Sequence, residues 1–429
     1  MLDSVKEKSS VKDNILQKGG SIMEQKAGMK CTILATACSL LVLVLALVTP
    51  GVCRGAEPKE IVVGSPVSRT GPGAPFGVFT EWAFKTVVED VNKNGGIYMS
   101  KYKKKLPVKL VLYDDESVPE KATQAVQRLI LKDKVNVLFS TGNPPVVIPC
   151  AMIAEKEEVP MTASGCPIQA FLGAKPKGGW KWVWNVFFDE LEMAKQGFLT
   201  MDTVQSNKKV ALFTDNSPDG VIQRGLWIKY APDMGYKIVV DGTFPVGTND
   251  FGDMIRRAKE ADADIVMSQM LPPDAIALWK QIKVLGYRPK AAFFEKGGEP
   301  SEWWQANGQA AQGTMTFGFW HPSLPYPGAK ELRERFEKEK GASYSQHIVT
   351  YYTAGRVMMD AIDRAGSLDP KAINAELAKT NKLCEMGTVK FNKDHVFAMP
   401  SFETQWQDGK TEIVYPPKLA TAKLIYPLP

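Results

Sequence analysis

The residues best suited to chemistry sit in short loops that follow apolar runs. Ser140-Thr141-Gly142-Asn143 follows one run, Ser164-Gly165-Cys166-Pro167 the next, and Asp215–Gly220, with Asp219, a third. Gln269–Asp274, with Met270, and Glu295–Gly298, with Lys296, follow two more. Hydroxyls, glycines, acids and one lysine grouped in this way suit the grip on a small polar solute. They do not make a reaction set. No GxSxG, HExxH or P-loop motif occurs. Gly71-x-Gly73 opens a helix, but Phe76 stands where a dinucleotide fingerprint needs glycine. The Gly71 loop therefore reads as backbone brought close to a small ligand. His321, His347 and His395 are far apart, and Asp114-Asp115-Glu116 reads as a solvated turn. No catalytic residue, metal site or cofactor is assigned.

The elements that must position these loops alternate. Strands are expected at Ile61–Val67, Val108–Tyr113, Val135–Phe139 and Pro160–Ala163, with helices at Phe76–Asn92, Pro119–Lys132 and Val146–Glu157. Phe79, Trp82, Ala83, Val87 and Val91 give the first helix its apolar face. A Gly/Lys/Trp-rich stretch, 173–184, precedes a second series. Its strands are expected at Lys209–Phe213, Ile238–Asp241, Ile265–Ser268 and Ala291–Phe294, and its helices at Leu191–Thr203, Gly220–Met234, Asp250–Glu260 and Ala275–Leu285. Two long helices near 329–340 and 345–365 and a strand-rich tail, 389–414, complete the chain. The order implies an α/β protein with two doubly wound, Rossmann-like lobes. Ligands of parallel sheets bind beyond the carboxyl ends of the strands, so facing loops would line a cleft.

Residues 29–56 read as an export signal. Met29-Lys30 is followed by the apolar run Leu40–Val48, the breaker Thr49-Pro50-Gly51, and the small residues Gly55 and Ala56. Cleavage near Ala56 is favoured over a permanent anchor because the strongly apolar core is short. Lipidation at Cys53 is disfavoured by Val52, and Met1, Met23 and Met29 are all possible starts. A periplasmic or otherwise exported location follows. Of the formal charge of +6, half belongs to residues 1–56, so no concentrated basic face for nucleic acid is expected. Three of the six cysteines also lie there. Cys150 begins a helix and Cys166 follows the adjacent strand; an exported protein permits a disulfide between them, and two separate thiols are the other reading. Cys384 is expected to be packed or unpaired.

A series of segments then resembles one family. They are IVVGSPVSRTGPGAPFG (61–77), DVNKNGGI (90–97), LVLYDDESVPEKATQAVQRLI (110–130), VPMTASG (159–165), VALFTDNSPDG (210–220), TNDFGDMIRRAKEADADIVM (248–267) and TYYTAGRVMMDAIDRAG (350–366). In this order they resemble substrate-binding proteins of ABC importers, with the type I periplasmic binding fold, of the branched-chain amino-acid-binding (Leu/Ile/Val) family. The resemblance implies lobes of 57–183 plus 322–383 and 184–321 plus 384–429, with crossovers near 182–186, 314–322 and 382–388. It implies capture of a small amino acid, organic acid or amide by lobe closure, and delivery to a membrane permease by a monomer that does no chemistry. A ligand sensor on the same fold and a secreted hydrolase are the alternatives. In the family pattern a hydroxyl loop and a small-residue/Thr loop hold the carboxylate, and an acid from the second lobe holds the ammonium. Pro144 and Pro167 stand at the hydroxyl and Thr positions, and the acidic position falls at Glu295 or Lys296. The candidate ligand contacts are Phe76, Thr141, Gly142, Asn143, Ser164, Gly165, Cys166, Asp219, Met270, Glu295, Lys296 and Trp320. Trp180, Trp182, Trp184, Phe187 and Phe188 are either a cleft wall or ordinary interlobe packing.

Overall fold

The computed structural model describes residues 57–140, 142–342 and 344–429. The export signal and Thr141 lie outside the described residues. Among those described, no helix is long and apolar enough to cross a membrane.

Two sheets carry the fold. The first contains β1 (Ile61–Val67), β4 (Val108–Asp114), β5 (Val137–Ser140), β6 (Met161–Ala163), β7 (Val183–Phe188) and β15 (Val396–Met399). All run parallel, in the order β15-β7-β6-β5-β1-β4. Side chains along each strand divide between two apolar layers. Ile61, Val63, Val137 and Phe139 face one layer, while Val62 and Leu138 face the other. Both faces are thus covered by helices, as a parallel sheet requires. The covering helices are α1 (Ala74–Lys93), α2 (Pro119–Leu131), α3 (Pro144–Lys156), the short α4 (Ile168–Gly173) and, from later in the chain, α11 (His347–Ala365). Gly355 lets α11 lie close on α1: an added Cβ would stand 3.2 Å from Val87. The small hairpin β2 (Ile97–Met99) and β3 (Lys104–Leu106) caps this layer.

The second sheet contains β8 (Lys209–Asp215), β9 (Lys237–Phe244), β10 (Ile265–Gln269), β11 (Ala291–Phe294), β12 (Met315–Gly318), β16 (Phe402–Gln407) and β17 (Lys410–Tyr415). Its order is β17-β16-β12-β11-β10-β8-β9, with β16 and β17 antiparallel. The same division recurs, with Ala211 and Phe213 in one layer and Val210 and Leu212 in the other. Helices α5 (Glu190–Met201), α6 (Pro218–Asp233), α7 (Gly252–Glu260), α8 (Pro272–Val284) and α9 (Glu302–Asn307) belong to this lobe.

The chain passes between the sheets three times, after β7, after β12 and after β15. This corrects the expected boundaries. Residues 184–188 and 396–399 belong to the first sheet, because β15 adds to its edge in parallel register, Val396 opposite Asn185 and Met399 opposite Phe188. The indole of Trp184 stacks on His395 at 3.6 Å, pinning that edge. The segment 382–388, expected to be the last crossover, forms most of the hairpin β13 (Asn381–Cys384) and β14 (Gly387–Lys390), and Cys384 and Val389 are buried in the first lobe. Helices α10 (Ala329–Lys340) and α12 (Pro370–Ala378) also pack there; α12 has no counterpart in the expected elements.

Trp279 anchors the second lobe. It is fully buried, its ring lies 5.4 Å from Phe294, and its Nε1 donates to the carbonyl of Ala310 at 2.7 Å. Trp279→Ala should lower unfolding free energy by about 3–5 kcal/mol, as large-to-small core changes do. Urea denaturation checks this; a loss below about 1 kcal/mol would contradict the packing.

Candidate functional site

Parallel strands deliver their carboxyl ends, and the amino ends of the following helices, to one edge of each sheet. The two edges face each other. Helices α3 and α4 of the first lobe meet α6 of the second, and a small cavity lies among the loops.

Its walls come from both lobes. The first lobe supplies Phe76, Gly142, Gly165, Pro167, Phe187, Phe188, Gln346 and His347. The second supplies Met193, Asp219, Gln269, Glu295, Lys296, Glu299 and Phe317, with Phe319 on the crossing segment. The rings form a continuous surface. Phe187 lies 4.5 Å from Phe188, Phe188 stacks on Phe319 at 5.5 Å, and Phe76 meets the edge of His347 at 4.9 Å. Such offset and edge-on contacts are the favoured aromatic geometries. Glycine is required where the two first-lobe loops touch. Gly165 has φ +78°, and a Cβ there would stand 2.7 Å from the carbonyl oxygen of Gly142.

One end of the cavity holds a buried ion pair. Lys296 Nζ lies 2.7 Å from Asp219 Oδ2, with side-chain exposures of 13% and 3%. Burial works against the charge on both. For Asp219, Lys296 and the Ser217 hydroxyl outweigh burial and hold the carboxyl below its ordinary range. For Lys296, Asp219 and Asp215 outweigh burial and raise the ammonium. The local sequence builds this arrangement. Ser217 caps α6 by accepting from the N–H of Gly220, and its hydroxyl lies 2.7 Å from Asp219 Oδ1. It also contacts Asp215 Oδ1. Gly220 is needed because a Cβ there would stand 2.3 Å from Asp215 Oδ1. Gln269 Nε2 donates to Asp219 at 3.3 Å. A hydroxyl has one proton and cannot donate to two carboxylates. Burial and the Asp219 charge raise Asp215 to about 6, and when protonated it supplies the second hydrogen bond. Lys296 also borders a neighbouring depression lined by Pro72, Asn143, Ser217 and Leu271.

A second polar group lies beside the crossing segment. Gln346 Oε1 accepts from the N–H of Phe319, and its Nε2 donates to the carbonyl of Phe317. Glu299 accepts from the hydroxyl of Ser345 at 2.6 Å and the N–H of Gln346 at 3.1 Å. Burial nevertheless raises Glu299 to about 8. Burial, aided by Lys296, lowers His347 to about 3. This group is therefore neutral near pH 7, whereas the Lys296–Asp219 pair is ionised. Glu295 is raised to about 8 by burial; Glu403, behind it on β16, is raised further by burial and by Glu295.

The structure brings together Phe76, Gly142, Gly165, Asp219, Glu295 and Lys296 among the sequence candidates. It places others elsewhere. Ser164 turns its hydroxyl to the carbonyl of Val186 at 2.9 Å. Cys166 and Met270 are buried in the apolar layers. Trp320 points to the carbonyl of Glu385 at 2.8 Å, away from the cavity. Asn143 borders the outer depression. The disulfide reading is corrected: Cys150 and Cys166 are free thiols packed in one apolar layer as small hydrophobes. The Phe187–Phe188 pair does wall the cavity. Sequence reasoning missed Glu299, Gln346 and His347 as site residues; only the start of a long helix after a crossing segment marks the last two.

With this geometry in place, the comparisons are decisive about family. The periplasmic binding protein family profile matches residues 60–411. The chain belongs to that family, and it is a solute receptor, not an enzyme. Leu/Ile/Val-binding protein homolog 3 of Brucella melitensis is 27% identical over 364 residues, covering 82% of this chain and 92% of its own. The fold is shared with the branched-chain amino acid transporter substrate binding protein of Streptococcus pneumoniae, solved with isoleucine: TM-score 0.74, 20% identity, 83% of this chain and 100% of that one. It is shared too with an ABC transporter solute binding protein of Rhodopseudomonas palustris BisB5, solved with 3,4-dihydroxybenzoic acid: TM-score 0.70, 19% identity, 82% and 95% coverage.

Two outcomes follow from the charges. Lys296→Met leaves Asp219 buried without its counter-ion and should cost about 3–5 kcal/mol; adding Asp219→Asn should restore most of the loss. A double variant no more stable than the single would contradict the pairing. Glu299 keeps its proton when folded up to about pH 8, against an ordinary value of 4.5. The folded state binds more protons in that window, so this stabilising contribution is complete below it and is lost as pH rises through it. Glu299→Gln should therefore flatten the decline of Tm between about pH 5 and 9. An unchanged slope would argue against a buried neutral acid.

Proposed function

We propose that the protein captures a small carboxylate with a ring-sized apolar body, closes its lobes over it, and delivers it to the permease of an ABC importer. The observation that carries this reading is the polarity of one cavity: aromatic walls between the lobes, with Lys296 as its cation. Only one of the three Lys296 protons is taken by Asp219, which leaves donors for a solute carboxylate. The first-lobe loop is poorly equipped for that task, since Pro144 and Pro145 begin α3 and carry no N–H. The apolar run at 40–48 favours export.

A second reading is favoured by Asp219 itself. A zwitterionic amino acid can place its ammonium there and its carboxylate on Lys296, in keeping with the names of the Leu/Ile/Val-binding relatives.

Thermal shift with benzoate, benzamide, leucine and isoleucine separates the two. A ligand at 100-fold over its Kd adds about 2.7 kcal/mol, several degrees of Tm. Benzoate should stabilise, its uncharged isostere benzamide should not, and Lys296→Gln should abolish the shift. Stabilisation by leucine and isoleucine alone would give the site to the amino-acid reading, and stabilisation by none would sink both.

A further inference from the structure

The cavity also carries polar groups that the fold does not satisfy. Glu299 Oε1 is engaged by Ser345 and Gln346. Glu299 Oε2 is buried and has no hydrogen-bond partner. Its polar neighbour His347 Nε2 stands 3.6 Å away, beyond hydrogen-bond reach. The other ring nitrogen, Nδ1, is within 3.3 Å of the Tyr351 hydroxyl, so Nε2 is the one left over. Glu299 and His347 are 7% and 8% exposed, and both line the cavity. Around His347 stand Phe76, Phe187 and Phe319, with ring centroids at 4.9, 5.6 and 5.3 Å.

We propose that Glu299 Oε2 and His347 Nε2 form a second polar subsite that receives a hydroxyl carried on the ring of the solute. A hydroxyl both donates and accepts, so one oxygen can satisfy both atoms whenever Glu299 Oε2 or His347 Nε2 carries a proton. With Lys296, the aromatic walls and this pair all lining one cavity, the solute class is a hydroxylated aromatic carboxylate. The inference rests on the carboxylate reading above. It adds a directional preference, because a site built to bond a hydroxyl binds the analogue that lacks it less tightly.

The test is calorimetric titration of the full chain with benzoate, 3- and 4-hydroxybenzoate, and 3- and 4-methylbenzoate. Hydroxyl and methyl are close in size, so the pairs differ chiefly in hydrogen bonding. The expected result is that at least one hydroxybenzoate binds ten-fold or more tightly than its methyl counterpart. In Glu299→Leu and His347→Phe that ratio should fall towards one. The ratio in the unaltered protein decides even if a variant fails to fold. Equal binding of hydroxyl and methyl acids overturns the subsite and leaves the carboxylate reading standing. Binding of none of the five acids overturns the carboxylate reading, and the subsite with it.

Discussion

The Lys296–Asp219 pair is the constraint around which the second lobe's binding edge is arranged. Two charges taken out of water are costly unless each keeps its partner and its hydrogen bonds. The partners come from three strand ends. Asp219 opens α6 after β8, Gln269 ends β10, and Lys296 follows β11. Adjacent parallel strands bring those three points together, because β8, β10 and β11 are neighbours with carboxyl ends at one edge. Gly220, Ser217 and Asp215 are consequences of the same requirement: space for one carboxylate, a hydroxyl to share, and a proton that burial makes available.

The aromatic walls connect that edge to lobe movement. Phe187 and Phe188 end the last strand before the first crossing, while Phe317 and Phe319 sit where the chain crosses back. Rings on the connecting segments touch one another. Closure therefore adds the tip contacts, α3 and α4 against α6, to a hinge side that is already packed. A solute between rings and ion pair would bridge both parts, which is how binding energy can be converted into closure.

The alternating pattern of strand and helix was legible because both sheets are buried on two faces and their strands are short apolar runs. The glycine loops and Lys296 were legible because strand ends mark the ligand edge of any parallel sheet. Three things were not. The third crossing was misplaced because 381–399 reads as hairpin-forming sequence wherever it lies; only pairing of β15 with β7 assigns it to the first lobe. Ser164 and Trp320 have residue types suited to a ligand, but their bonding atoms are taken by the main chain. Glu299 and His347 are 48 positions apart in the numbering and meet only because the second crossing returns the chain to the first lobe. No local signal encodes that contact.

The prolines give the last step. In the family pattern a hydroxyl loop and a small-residue loop from the first lobe hold the solute carboxylate; here Pro144 begins α3 and Pro167 lines the cavity. Neither contributes an N–H or a hydroxyl. A carboxylate still needs compensation when it leaves water. Among the described cavity residues, Lys296 is the one side chain that carries positive charge near neutral pH, since burial keeps His347 neutral. The loss of donors in the first lobe and the presence of a lysine in the second are thus two sides of one change. On the carboxylate reading proposed above, the anionic end of the solute is held by the second lobe, and the rings and neutral groups of the first lobe are left to select its body.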